Sequence, residues 1–301
     1  MSGKEEEEMK KDKLILLAAI AAVVTVCAVV PVRLSRAMVS ESGGRFSIMK
    51  KQPGLGYNKP ETLTYYSHIT KTERHATVFL PFGYTKDKKY PVLYLFHGLN
   101  GSHRSWKNKS ADVILQNLYY SSKAPEMIVV CPNSAVNRWE NTRGLKPSEK
   151  RKAYDLTAKE VVENLMPVIE SRYSVKKGRD NTAVAGNSMG GRNALYTAFT
   201  YPDTFGYVGA FSPAYVLERS GETGKWAPLL KSVKLPSEAQ KFKLLMMCVG
   251  RSDRRCGDVA YKLHDVMSRE KTEHVFYDMK GGHDDGVWQK ALQDFAARIF
   301  K

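Results

Sequence analysis

Residues 182–200 read TAVAGNSMGGRNALYTAFT, with Gly186-Asn187-Ser188-Met189-Gly190 set between an apolar strand pattern and a helical one. A serine on such a turn can act as a nucleophile. The turn must be tight and strained, so the residues two before and two after the serine must be nearly bare. Gly186 and Gly190 meet that need, and Gly191 gives the helix room to approach the sheet. The turn lifts the Ser188 hydroxyl above the strand ends. It also sets Ser188 at a helix N-terminus, where the dipole favours developing negative charge. A glycine-rich turn with an idle serine is the plainer alternative, and the flanking strand and helix patterns argue against it.

A serine is a weak nucleophile at its own pKa and needs a base, which in turn needs an orienting carboxylate. On a strand–turn–helix nucleophile the acid and the base follow the serine in that order. His264, His274 and His283 follow Ser188. His264 falls in a helical pattern and His274 starts a strand, whereas His283 lies in the loop Lys280-Gly281-Gly282-His283-Asp284-Asp285-Gly286. His283 is therefore the predicted base. Asp253, after the apolar run KLLMMCV, is the predicted acid, with Asp258 as its rival; Asp284 and Asp285 suit a helix cap better. Residues 90–102, YPVLYLFHGLNGS, form an apolar strand ending in a glycine-flanked loop. The N–H groups of Leu99 and Met189 are the predicted oxyanion donors, with Gly98 as the alternative to Leu99. His97 ends a buried strand on the wrong side of the chain order and reads as a structural group.

These residues must be held by a sheet. Strand patterns cover Glu61–His68, Thr77–Leu80, Val92–Phe96, Met127–Cys131, Thr182–Gly186, Tyr207–Phe211, Lys243–Val249 and His274–Met279. Helical patterns cover Ala111–Tyr120, Asp155–Tyr173, Met189–Tyr201, Asp258–Arg269 and Gly286–Phe300. The alternation predicts an α/β fold with a mostly parallel sheet. Pro167 inside the second helix predicts a kink. The polar insertions Asn133–Tyr154 and Pro213–Gln240 carry Trp139 and Trp226, the candidate substrate walls.

Of 301 residues 43% are hydrophobic and 26% charged, which excludes a disordered tail and a polytopic membrane protein. Four cysteines in this length exclude a disulfide-scaffolded mini-domain, and no zinc-site spacing occurs. The formal net charge of +16 is spread along the chain without a nucleic-acid-binding motif. It suits loose attraction to an anionic wall, membrane surface or uronic-acid polymer, or simply a solvated basic surface. Residues 14–30, LILLAAIAAVVTVCAVV, are uncharged and flanked by basic residues. Residues 1–37 therefore read as a signal peptide or an N-terminal membrane anchor, and residues 38–301 as the domain.

The motifs GNSMGG, HGLNG, GRSD and GGHDDGVW, with the lead-in ATVFLPFGYTKDKKYPVLYLFHG, resemble the esterase D and feruloyl esterase group of α/β-hydrolases. The resemblance covers about residues 60–300. It implies an α/β-hydrolase fold, with Ser188 as nucleophile, Asp253 as triad acid, His283 as base, and Trp288 beside the histidine. It implies a serine carboxylic-ester hydrolase without metal or cofactor, acting on feruloyl or acetyl esters of plant cell-wall polysaccharide. The alternatives are an acyltransferase on the same triad and a binding protein on a hydrolase scaffold. Export is expected, to the outside or to the outer face of a membrane.

Overall fold

The computed structural model describes residues 47–214 and 241–301, together with the backbone of two short strands at 217–219 and 226–228. Residues 1–37 and the side chain of Trp226 lie outside the described residues. Ile48–Lys51 and Gly56–Lys301 belong to one compact unit.

The strands are β1 (Glu61–Ser67), β2 (Thr72–Phe79), β3 (Val92–Phe96), β4 (Ile128–Pro132), β5 (Thr182–Asn187), β6 (Tyr207–Phe211), β7 (Leu217–Arg219), β8 (Trp226–Pro228), β9 (Leu244–Gly250) and β10 (Val275–Met279). Eight of them form one sheet in the order β1-β2-β4-β3-β5-β6-β9-β10, and β7 pairs with β8. The pairs β1·β2 and β2·β4 are antiparallel. From β4 to β10 every pair is parallel. The strand pairs Phe96↔Gly186, Asn187↔Phe211, Phe211↔Cys248 and Met279↔Gly250 align the C-terminal ends of the parallel strands. The loops that follow those ends therefore emerge side by side.

Alternation in the central strands builds a core on each face. Val92, Tyr94 and Phe96 of β3 face Val161, Leu165, Ala194, Leu195 and Leu263. Leu93 and Leu95 face Ile114, Leu118, Leu292 and Phe295. Each of the Val, Leu, Ile and Phe side chains among these contributes about 1.5–3 kcal/mol when fully buried. Helices thus cover both faces of a strand run that is apolar throughout, the pattern a buried parallel sheet requires.

Three local expectations need correction. β2 begins at Thr72 rather than Thr77. Its polar start, Thr72–His75, pairs with the edge strand β1, where one side of an antiparallel ribbon tolerates polar residues. The helix expected to kink at Pro167 instead widens into a π-helical turn, Val161–Leu165, before Met166–Arg172. Pro167 lacks an N–H and would crowd the carbonyl one turn back, and the wider turn relieves both. The insertion 133–154 holds a helix, Pro147–Asp155, with Pro147 in its first turn and the Glu149 carboxylate accepting the Lys146 N–H at 2.8 Å. Only Ala153 and Tyr154 are buried in it, too few for a helical period to show.

Arg74 is wholly buried, and its Nε lies 3.1 Å from Oε1 of buried Glu160, at an angle too bent for a hydrogen bond. Its two Nη groups donate to the carbonyls of Asn137 (3.0 Å), Asn133 (2.7 Å) and Ala135 (3.2 Å). Glu160 also accepts from the Ser67 hydroxyl at 2.7 Å. This ion pair straps the chain after β4 onto the sheet. Arg74→Met strands the Glu160 charge and three carbonyls, so the expected destabilisation is about 3–5 kcal/mol. The double variant Arg74→Met/Glu160→Leu should regain part of it. Urea midpoints measure both, and a single-variant loss below about 1 kcal/mol counts against the strap.

Candidate active site

Ser188 follows β5 and precedes the helix Met189–Thr200, at φ 54° and ψ −120°. L-residues rarely adopt that conformation, so the surrounding structure must enforce it. The Ser188 N–H donates to Phe211 O at 2.8 Å, and its carbonyl accepts from Ala214 N (2.9 Å) and Arg192 N (3.0 Å). The bare neighbours are a steric need. A Cβ on Gly186 would stand 2.5 Å from the Gly190 backbone, and one on Gly190 would stand 2.4 Å from Phe96 O. Strand β5, the helix and the end of β3 meet there with no room for a methyl group.

The four predicted chemical elements converge from the loops after β3, β5, β9 and β10. His283 Nε2 lies 2.9 Å from Ser188 Oγ. His283 Nδ1 lies 2.7 Å from Asp253 Oδ2. Asp253 Oδ1 accepts the N–H groups of Arg255 and Cys256, each at 2.9 Å. Burial pushes the Asp253 pKa up. The Cys256 N–H, the His283 side chain and the Arg255 N–H outweigh burial and hold the carboxyl below its ordinary value. Asp258 pairs with Lys262 at 3.0 Å instead, and Asp284 caps the helix Asp285–Ala296 through Val287 N at 3.1 Å. His264 and His274 bond to each other at 2.8 Å. These groups therefore stay out of the relay.

His97 is buried and has its own task. Its Nε2 accepts from Ser134 N at 2.9 Å, which leaves the proton on Nδ1 facing Gly98 O at 2.7 Å. Gly98 O also accepts from Gly101 N at 3.1 Å. In a trans peptide the carbonyl and the following N–H point in opposite directions. Holding the Gly98 carbonyl therefore aims the Leu99 N–H away from those donors. Among the described residues no protein acceptor takes the N–H of Leu99 or Met189. Asn100, next in the loop at φ 59°, is fixed twice. Its N–H donates to the Tyr154 hydroxyl at 3.0 Å, and its Oδ1 accepts from the Thr142 hydroxyl at 2.7 Å. The insertion 133–154 thus braces this loop.

Ser188 and His283 open into a cleft of about 420 Å³, whose lining includes Leu99, Met189, Ala214, Cys256 and Trp288. The Trp288 ring stands edge-on to His283 with centroids 5.0 Å apart. Trp288, which the resemblance set beside the histidine, lines the cleft; the side chain of Trp226 lies outside the described residues. Trp139 is 62% exposed, stacks on Arg138 and does not line it, which corrects its assignment. Its loop is turned outward by Asn137, which accepts Trp139 N and donates to Asn141 O, each at 2.8 Å. Cys256 had no predicted role. Burial, aided by the Asp253 charge, pushes its thiol up to about 12, so it stays protonated and does not compete with Ser188. Among the described residues no cluster of His, Cys, Asp and Glu is arranged to hold a metal ion.

The family model Esterase matches residues 67–299, a span that holds the cleft and its relay. This chain belongs to the Esterase family. The similarity extends to the endo-1,4-beta-xylanase/feruloyl esterase of Xylanibacter ruminicola, 30% identical over 82% of this chain and 32% of that protein. The chain thus spans about a third of that relative's length. The acetyl esterase of Caldicellulosiruptor saccharolyticus is 23% identical over 76% of this chain and 94% of its own. Among solved structures, a CE1 ferulic acid esterase from Anaeromyces mucronatus is 32% identical, with a TM-score of 0.76 over 85% of this chain and 96% of that one. The fold is that of the α/β-hydrolase esterases, as the strand order and the parallel sheet independently indicate.

Proposed function

We propose that this chain is a serine carboxylic-ester hydrolase. The carrying observation is the relay from Ser188 Oγ through His283 to Asp253, set in an open cleft. Ser188 Oγ attacks the ester carbonyl carbon while His283 Nε2 takes its proton. Asp253 Oδ2 accepts from His283 Nδ1, holding the tautomer and stabilising the imidazolium. The N–H groups of Leu99 and Met189 receive the carbonyl oxygen as it becomes an oxyanion. Collapse of the tetrahedral intermediate breaks the ester C–O bond, and the leaving alcohol takes the proton from His283. Water then attacks the acyl-serine with His283 again as base, releasing the acid.

The proposed substrates are feruloyl or acetyl esters of plant cell-wall polysaccharide. Two things support this: the activities named for the relatives above, and an apolar wall of Met189, Ala214, Cys256 and Trp288 suited to an acyl group. The test is hydrolysis of 4-nitrophenyl acetate and methyl ferulate, with peptide mapping after a fluorophosphonate. Turnover with the label on Ser188 is expected. No turnover and no label would overturn the reading, and product capture by an added sugar acceptor would mark acyl transfer instead. The uncharged run 14–30 further supports export, by cleavage or as an anchor. Cell fractionation with N-terminal sequencing tests it, and a cytosolic chain with an intact N-terminus would count against it.

A further inference from the structure

Beside the cleft lies a second hollow of about 300 Å³, and the two share Asn100, Gly101 and Ser105. The two thus adjoin across the loop that carries Asn100 and Gly101. Their walls differ in kind. The cleft carries Met189, Ala214 and Trp288, whereas the hollow is lined by polar residues and glycine alone. An ester has an apolar acyl half and, in a saccharide, a hydroxyl-rich alcohol half. The two walls match that division.

The polar groups of the hollow are mostly committed to one another. Glu140 spends both carboxylate oxygens on His75, taking its N–H at 2.8 Å and facing its Nδ1 at 2.7 Å. Thr142 donates to Asn100, and Ser105 Oγ accepts from Ser102 N at 2.9 Å. Asn141 donates to Trp139 O at 2.8 Å and accepts the Arg143 N–H at 3.1 Å. Arg143 is exposed and lines the hollow, and its guanidinium has no partner among the described residues. The one uncommitted charge at this wall is thus a planar fork of donors, the geometry that reads a carboxylate in bidentate fashion. The loop that carries it is built in advance. Arg74 holds the Asn137 carbonyl, and Asn133 Nδ2 donates to Glu140 O at 2.6 Å. Around it, residues 138–152 carry six basic and two acidic side chains.

We infer that this hollow is the alcohol-side subsite and that Arg143 in it reads the carboxylate of a uronic-acid-bearing saccharide. This rests on the esterase reading above. The ester's alcohol then lies across Asn100 and Gly101, its acyl group on the apolar side, and its carboxylate meets the Arg143 fork. A neutral saccharide fits the same space but leaves the fork hydrated.

The test uses two matched substrates, the mono-feruloyl esters of a methyl glucoside and of the corresponding methyl glucuronoside. For the full chain, kcat/KM should favour the glucuronoside by about tenfold at low salt, and high salt should erode that preference. Arg143→Ala should bring the ratio near one, chiefly by raising KM for the glucuronoside. Lys152→Ala removes an exposed charge outside the hollow and should keep the ratio within about twofold, as expected of a diffuse contribution. Equal rates on the two esters in the wild type, or a ratio unmoved by Arg143→Ala, would overturn the subsite. So would equal losses from Lys152→Ala and Arg143→Ala, because the attraction would then be diffuse. Failure to cleave either ester or 4-nitrophenyl acetate would instead strike the esterase reading, and this subsite with it.

Discussion

Ser188→Ala is expected to lower kcat on 4-nitrophenyl acetate by about 10⁵- to 10⁶-fold, since nucleophile and base act as a unit and losing one forfeits nearly all of their joint effect. The fold should survive. Alanine keeps the Cβ that serine already places at φ 54° and ψ −120°, so the elbow is no more strained than before. Ser188→Gly should be equally inactive but more stable, because glycine enters that region without steric cost. A gain of about 1 kcal/mol is expected, less the entropy that glycine adds to the unfolded chain. Activity assays beside thermal melts of the three proteins read both effects. Near-wild-type turnover by Ser188→Ala would move the nucleophile elsewhere. A glycine variant less stable than the alanine one would show that the elbow stores no strain. The pairing of inactivity with stabilisation separates a strained functional turn from a merely structural one.

The elbow was legible in the sequence because its requirement is steric and local. Gly186 and Gly190 are demanded by backbone atoms at 2.5 and 2.4 Å, and such a demand leaves its mark at fixed offsets from the serine. The place of His283 was legible for a related reason: it sits in a glycine-flanked loop after a strand, while His264 sits in a helix and His274, just before β10, bonds to it. The parallel character of the central sheet followed from apolar runs alternating with helical ones, although the order of its strands did not. The supports of the site were not legible. Arg74 falls between the strand patterns of the sequence, and nothing near it marks Glu160 as its partner. Tyr154 and Thr142 brace Asn100 across sequence separations of 54 and 42 residues. Pairings of that kind depend on how an irregular insertion folds, and neither period nor spacing encodes it. Trp139 was misplaced for the same reason, since an exposed and a lining tryptophan look alike until the turn at Asn137 is known.

Asp253→Asn should lower kcat by about 10⁴-fold near neutral pH, through the imidazole tautomer rather than through lost packing. The two N–H groups at 2.9 Å, from Arg255 and Cys256, hold an acceptor at the Oδ1 position. An asparagine must put its carbonyl oxygen there, which turns its amide NH₂ toward His283 Nδ1. That nitrogen must then accept, so the ring proton moves to Nε2, where it faces Ser188 Oγ and can no longer take the serine's proton. A histidine NMR spectrum should therefore show the proton on Nε2 in the variant and on Nδ1 in the wild type. A kcat loss with an unchanged tautomer would reassign Asp253 from orienting the ring to stabilising its charge alone. The stability comparison has a defined sign. The Asp253 pKa is depressed in the folded chain, so its contribution is fully present above the unfolded carboxylate value and is lost as pH falls through the depressed one. The stability gap between wild type and Asp253→Asn should accordingly be widest near neutrality and close in acid. Urea midpoints measured across that range give the gap directly, and one that widens in acid would mean that Asp253 is held protonated and cannot orient the base.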